Sequence, residues 1–304
     1  MSKDYQLYGK PALNINQQLE LLIKQGLIVK NPERALHYLR FIGHHRLSGY
    51  FRTFQIQNTP EHIFKKGTTF DSIISVYIFD RKLRLLVMDA VERIEVAVRT
   101  TISSTMGERY GPHWYLEQML FKSKFNHKDL IKTIERETGF NNRRKQNKSC
   151  SNYFKNYSKP HLPPAWVVTE ALSIGAWSNI FSNLRSRKDR RQISDQYYLH
   201  YDIMSSWLHS FTYLRNLCAH HSRIWNRKFT VKPKVANKLK KHFQNNAGFY
   251  AQAVVLNVFL SVIADGSRWQ YRLLDLLDNY PDIHLEKMGF PKNWHKDQFW
   301  RIFK

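Results

Sequence analysis

The chain has 304 residues, enough for one large or two small domains, and its 42% apolar and 14% aromatic residues can supply a real core. Lys and Arg number 48 against 24 Asp and Glu, a formal net charge of +24 that attracts polyanions and argues for nucleic acid as a partner, the bland alternative being a soluble protein from a lysine-rich proteome. Two cysteines, Cys150 and Cys218, exclude a disulfide framework and fit a reducing cytoplasm. Residues 1–10 lack the apolar core of a secretory signal, and the most apolar stretch, 253–264, is too short to span a bilayer.

In chain order the signals are helical. Asn14 or Asn16 caps a helix through Leu19, Leu22 and Ile23 that Gly26 ends. Asn31-Pro32-Glu33 reads as cap, first-turn proline and first-turn acid, with Ala35, Leu36, Leu39 and Ile42 as the apolar face and Gly43 as the stop. Residues 44–57 are aromatic and fit helix or strand. Asp71 is read as the cap of the longest helix, which runs to about Thr105 before Gly107, with Ile74, Ile78, Leu85, Val91, Ile94, Val98 and Ile102 at helical spacings. Glu95 and Arg99, four apart on that helix, are either a solvated pair or support for a site.

Residues 121–164 form a basic stretch poor in apolar residues. It is either a solvated insertion or an RNA-contacting arm, with Arg143, Arg144 and Lys145 in a loop and Tyr153, Phe154 and Tyr157 as stacking faces. Pro163-Pro164 opens a helix through Leu184, interrupted at Gly175, whose Trp166, Leu172, Trp177 and Phe181 read as core. A second basic patch, Arg187, Lys188, Arg190 and Arg191, precedes a helix capped by Asp202. Its apolar stripe is Ile203, Trp207, Phe211, Leu214 and Cys218. Residues 223–241 add further cations, among them Arg223, Arg227 and Lys228, without an acid. Helices over 246–264 and 267–277 and an aromatic tail complete the chain. There is no repeat and almost no strand alternation, so the fold is all-α. Three parts are predicted: an N-terminal helical module (1–65), a helical core (66–230) with the basic insertion 121–164, and a C-terminal helical extension (231–304).

The chemistry concentrates in Arg215-Asn216-Leu217-Cys218-Ala219-His220, an R-N-x-x-x-H arrangement. A histidine titrates near neutrality and can move the proton of a ribose 2′-hydroxyl. A forked, permanently charged guanidinium can hold a phosphate as charge builds on it, and asparagine can orient either partner. Spacing by itself is weak: Arg40 and His45 repeat it, though Phe41 stands where the polar residue belongs. On an ideal helix, five residues put Arg215 and His220 about 140° apart, with Arg215 about 70° from the centre of the apolar stripe. The two meet only if the helix ends near His220, or if two copies face each other across a two-fold axis. His221 is read first as packed or hydrogen-bonded and second as a helper. No Gly-rich phosphate loop, Cys-x-x-Cys pair or nucleophile triad is present, and the histidines show no metal spacing, so neither cofactor nor metal is expected.

The stretch from Arg215 to Arg227 resembles the signature of the Abi-like family, the AbiD/AbiF abortive-infection proteins of bacteria. Further matches run in order: Gln18 to Ile28, Arg46-Leu47-Ser48-Gly49-Tyr50, Phe79 to Arg84, Glu92 to Arg99, and Trp166 with Glu170 to Gly175. That family is similar to the HEPN superfamily of helical nucleases, whose R-x4-6-H motif acts at a dimer interface. The resemblance implies a HEPN-like helical bundle, phage defence by growth arrest, a homodimer, and Arg215, Asn216 and His220 as catalytic residues of a metal-independent endoribonuclease. His44 and His45 stand where the family has tyrosines, which marks an aromatic structural position. A structured RNA is a further expected partner, as the restraint on a toxic nuclease. The alternatives are a HEPN-like dimer that grips RNA without cutting it, and a structural role for Arg215 and His220.

Overall fold

The computed structural model describes residues 9, 11–142, 146–264 and 266–300. The fold is all-α: among the described residues there are isolated bridges but no strand. None of the helices described is long and apolar enough to cross a membrane. The chain divides into two compact units, Met1–Lys82 and Leu83–Lys304. The division therefore falls inside the longest helix, and residues 231–304 share a unit with the motif.

In the first unit, α1 (Ile15–Lys24) is capped by Asn14, whose side chain accepts from the Gln17 N–H in a capping box. Asn31 caps α2 (Pro32–Ile42) in the same way. Gly43, at φ 87°, separates it from α3 (His44–Phe54). Residues 44–54 are thus helical, because Leu47, Tyr50 and Phe51, buried at i, i+3 and i+4, make one face of a 3.6-residue period. Arg40 and His45 end on different helices.

α4 (Phe70–Tyr110) begins earlier and ends later than the sequence suggests. Its first turn is held by Thr69, whose hydroxyl accepts from the Ser72 N–H, so Asp71 lies inside the helix and pairs with Arg34 instead. Gly107 does not stop it: Met106 is fully buried beside it, and packing outweighs the roughly 1 kcal/mol that glycine costs a helix.

In the second unit the basic insertion holds two helices. It contains α5 (His127–Thr138), capped by Asn126, and α6 (Lys148–Asn156), capped by Asn147. Arg143, Arg144 and Lys145 lie outside the described residues. The predicted helix 165–184 is two: α7 (Ala165–Val168) and α8 (Ile174–Asn183). The break precedes Gly175; Ser173 caps α8 by accepting from the Ala176 N–H. Leu172, Trp177 and Phe181 are core, but Trp166 is 59% exposed.

α9 (Arg187–Asp195) and α10 (Tyr201–Ala219) follow. His200, not Asp202, caps α10, its Nδ1 accepting from the Asp202 N–H. α10 packs on α8, α9 and α11 (Phe249–Ile263). The basic segment after it is tied back along α10: the Trp207 Nε1–H donates to the Lys234 carbonyl at 2.8 Å, and the Lys234 N–H to Ser206 at 2.9 Å. α12 (Trp269–Asp278) seats Trp269 on α4 through a bond to the Leu86 carbonyl.

Candidate functional site

The motif occupies the last turn of α10. His220 is the C-cap, the Ser222 N–H bonds the Leu217 carbonyl and the His221 N–H that of Cys218, so the helix closes with a Schellman pair. His221 takes the left-handed position usually given to glycine, at φ 55°. It is exposed rather than packed, and it keeps a partner of its own. His220 is also exposed.

The helix therefore ends where the motif needs it to. Asn216 and His220, four apart, share a face, and Arg215 stands on the adjoining one. Asn216 joins the two faces, because its Oδ1 accepts from Arg215 Nη1 at 3.4 Å.

Arg215 is anchored from behind by α4. Glu95 is 8% exposed; its Oε1 pairs with Arg99 Nη2 at 3.0 Å, and its Oε2 lies 3.8 Å from Arg215 Nε. Arg99 is fully engaged, donating to the carbonyls of Thr169 at 2.8 Å and Leu172 at 3.3 Å. A carboxylate so buried must be matched in charge, and two guanidinium groups do so. The i,i+4 pair on α4 is thus not a solvated pair: its carboxylate is buried beside Arg215. Arg215 makes one side-chain hydrogen bond among the described residues, to Asn216, and a guanidinium carries five N–H donors. Its Nε is buried on the side of Glu95, so the donors left for phosphate oxygens are on Nη1 and Nη2.

The basic candidates separate by placement. Arg187, Lys188, Arg191 and Lys228 are exposed, and Arg223 and Arg227 half-buried. Arg190 is buried, with its guanidinium 4.4 Å over the Tyr201 ring and 3.7 Å from Asp202, so it holds α9 to α10. Its neighbour Asp189 receives Arg109 at 2.6 Å and the Tyr110 hydroxyl at 2.9 Å.

Beside Arg190 a polar groove of about 700 Å³ runs between α8 and α10, lined by Lys122, Lys234, His209 and several serines. Burial, then the charge of Arg190, pushes the Lys122 amine below its usual pKa, against the pull of Asp202. His209, which lines the groove, shares an azimuth on α10 with Asn216 and His220 to within about 40°.

Tyr213, on the same helix as the motif, is held by residues that follow it. The Thr230 hydroxyl and then, against burial, Arg227 hold its phenol below its usual pKa.

An all-α protein with an arginine, an amide and an exposed histidine gathered at one helix end is the class that fold and site define. The family model described as Abi-like protein matches residues 37–226, and the chain belongs to that family. Membership supports an abortive-infection role in phage defence. No curated protein and no solved structure gives a significant match.

Proposed function

We propose that the chain is a metal-independent endoribonuclease of the HEPN type that arrests growth during phage infection. The observation that carries this reading is Arg215, fixed by buried Glu95, with donors to spare beside Asn216 and the exposed His220. His220 takes the proton of the ribose 2′-hydroxyl as its oxygen attacks phosphorus. Arg215 neutralises the charge that builds on the phosphoryl oxygens. The 5′-oxygen leaves with a proton from water, and His220 later returns its own to solvent, giving a 2′,3′-cyclic phosphate and a 5′-hydroxyl. Asn216 keeps Arg215 and His220 in register. The exposed cations Arg187, Lys188, Arg191 and Lys228 and the groove along α8 and α10 bind the RNA backbone.

The working unit in this reading is a homodimer, which lets one copy's histidine face the other's arginine. Val96, next to Glu95, is 56% exposed, and Trp166, near the carbonyls that hold Arg99, is 59% exposed; a second copy would cover such apolar side chains. The high positive charge also suits a structured RNA as restraint before infection; co-purified RNA of one discrete size supports that, and heterogeneous RNA opposes it.

The test is cleavage of single-stranded RNA in EDTA. His220→Ala should slow it by about 10²–10⁴-fold while RNA binding survives, and a 2′-deoxy residue at the cut position should block it. Cleavage that EDTA stops, or that His220→Ala leaves intact, refutes the mechanism. One observation favours the second reading, a dimer that binds RNA without cutting: within one copy Arg215 and His220 stand on different faces. Full RNA binding with no cleavage by the wild-type protein would establish it.

A further inference from the structure

Beyond the family match, the C-terminal part of the second unit encloses a cavity of about 640 Å³. It is walled by the 3₁₀ turn Asn237–His242, the second half of α11, the start of α12 and residues 297–300. Its volume is that of a small-molecule site.

A hydrogen-bonding chain at its floor ends on a buried histidine. Trp300 Nε1–H can only donate, and it donates to the Tyr250 hydroxyl at 3.1 Å. That hydroxyl lies 2.9 Å from Nδ1 of His242, which is 3% exposed, so Nδ1 is satisfied whichever of the two carries the shared proton. Burial lowers the pKa of this ring, against the pull of Asp297 and with the help of Lys241.

Nε2 of His242 is buried and has no hydrogen-bond partner; Asp297 Oδ1, at 3.7 Å, is out of reach. Asp297 is committed elsewhere, to Lys241 at 2.7 Å and to the Phe299 N–H at 2.9 Å. Asn257, 7% exposed within the apolar helix α11, lines the same cavity. A buried polar atom left unpaired is costly, a cost that a bound partner removes. At the rim stand Lys238 and Arg268, both exposed, and Leu260 and Phe299 add apolar wall. Cations at the mouth, an apolar wall and a floor with an unpaired ring nitrogen and an amide suit an anionic end joined to a flat ring that carries hydrogen-bonding atoms.

We propose that this cavity binds a nucleoside monophosphate, with Lys238 and Arg268 on the phosphate and His242 Nε2 and Asn257 on the base. The site is independent of the nuclease reading. The experiment is calorimetric titration of the full chain, at physiological salt, with AMP, GMP, CMP, UMP and inorganic phosphate in turn. One monophosphate should bind at one per chain. Its affinity should fall at least about tenfold in Arg268→Gln and in Asn257→Leu, and stay unchanged in Arg215→Gln. Arg268 is exposed at the rim, so its variant reads out even where Asn257→Leu fails to fold. Binding that survives Arg268→Gln, inorganic phosphate binding as tightly as any nucleotide, or no binding at all overturns the proposal.

Discussion

Glu95→Gln is the perturbation that isolates how the motif arginine is held. The amide keeps the shape of the carboxylate and can still accept from Arg99, but the charge that attracts Arg215 across 3.8 Å is gone. At about 4 Å a unit pair is worth roughly 4 kcal/mol at an effective dielectric of 20 and roughly 1 kcal/mol in water. The Glu95 side chain is 10% exposed and that of Arg215 32%, so the pair sits between those limits. Exposed pairs contribute about 0–1 kcal/mol, and breaking a buried one costs about 3–5 kcal/mol. A stability loss of about 2 kcal/mol is therefore expected in urea denaturation. Two guanidinium groups then share a neutral partner, and Arg215 drifts. Misplacing a group by about 1 Å can cost about 10²-fold in rate, and single-turnover RNA cleavage should fall by that order with RNA affinity nearly kept. If Glu95 acts through Arg215, the double variant Glu95→Gln/Arg215→Gln is no slower than Arg215→Gln. Full-rate cleavage by Glu95→Gln, or losses that multiply in the double variant, would refute this.

Three further outcomes follow from local geometry. His221→Gly relieves a left-handed residue at φ 55° and should stabilise the chain by about 1 kcal/mol with cleavage intact; a lower melting temperature would mean that the His221 side chain holds the helix end. Gly248→Ala puts a Cβ 2.6 Å from the Met288 carbonyl oxygen, a backbone atom that cannot step aside, so thermal denaturation should show a loss of about 1–3 kcal/mol. His44, His113 and His242 all have pKa values lowered chiefly by burial from 6.5. On acidification the unfolded chain takes up their protons first. Their contribution is complete above about pH 6.5 and is lost as pH falls toward the folded values. Melting temperature should fall through that window, less steeply in His113→Asn; equal slopes would remove His113 from the account.

Much of the helical order was legible because its signals are local. Asn14 and Asn31 announce their helices by satisfying N–H groups three residues away, and such bonds depend on nothing distant. Where the sequence misled, a distant partner decided. The break between α7 and α8 carries no proline, and the carbonyls of Thr169 and Leu172 in that region turn to Arg99, some seventy residues earlier. Trp166 sits on an apolar pattern yet stays 59% exposed; periodicity ranks faces by polarity and cannot say whether a face is covered. α4 outruns Gly107 because buried Ile102, Ser103, Thr105 and Met106 hold the last turns in place.

The site divides along the same line. Arg215, Asn216 and His220 were legible as residues, and their 140° divergence followed from helical geometry. What spacing could not supply was the charge balance behind them. A salt bridge four residues apart on α4 reads equally as surface decoration, and only burial distinguishes the two. Once Glu95 is known to be buried between Arg99 and Arg215, the cluster holds one carboxylate and two guanidinium groups, leaving one positive charge in excess in a half-buried setting. Arg99 is saturated by backbone carbonyls, so the excess lies on Arg215, on the side of Asn216 and His220. A phosphodiester carries a single negative charge, and in the proposed cleavage the charge that builds on it in the transition state is drawn to that guanidinium more strongly than the ground state is. A glutamate that held Arg215 more tightly, at hydrogen-bond distance, would cancel that attraction. At 3.8 Å it orients the arginine and leaves most of its donors for a substrate.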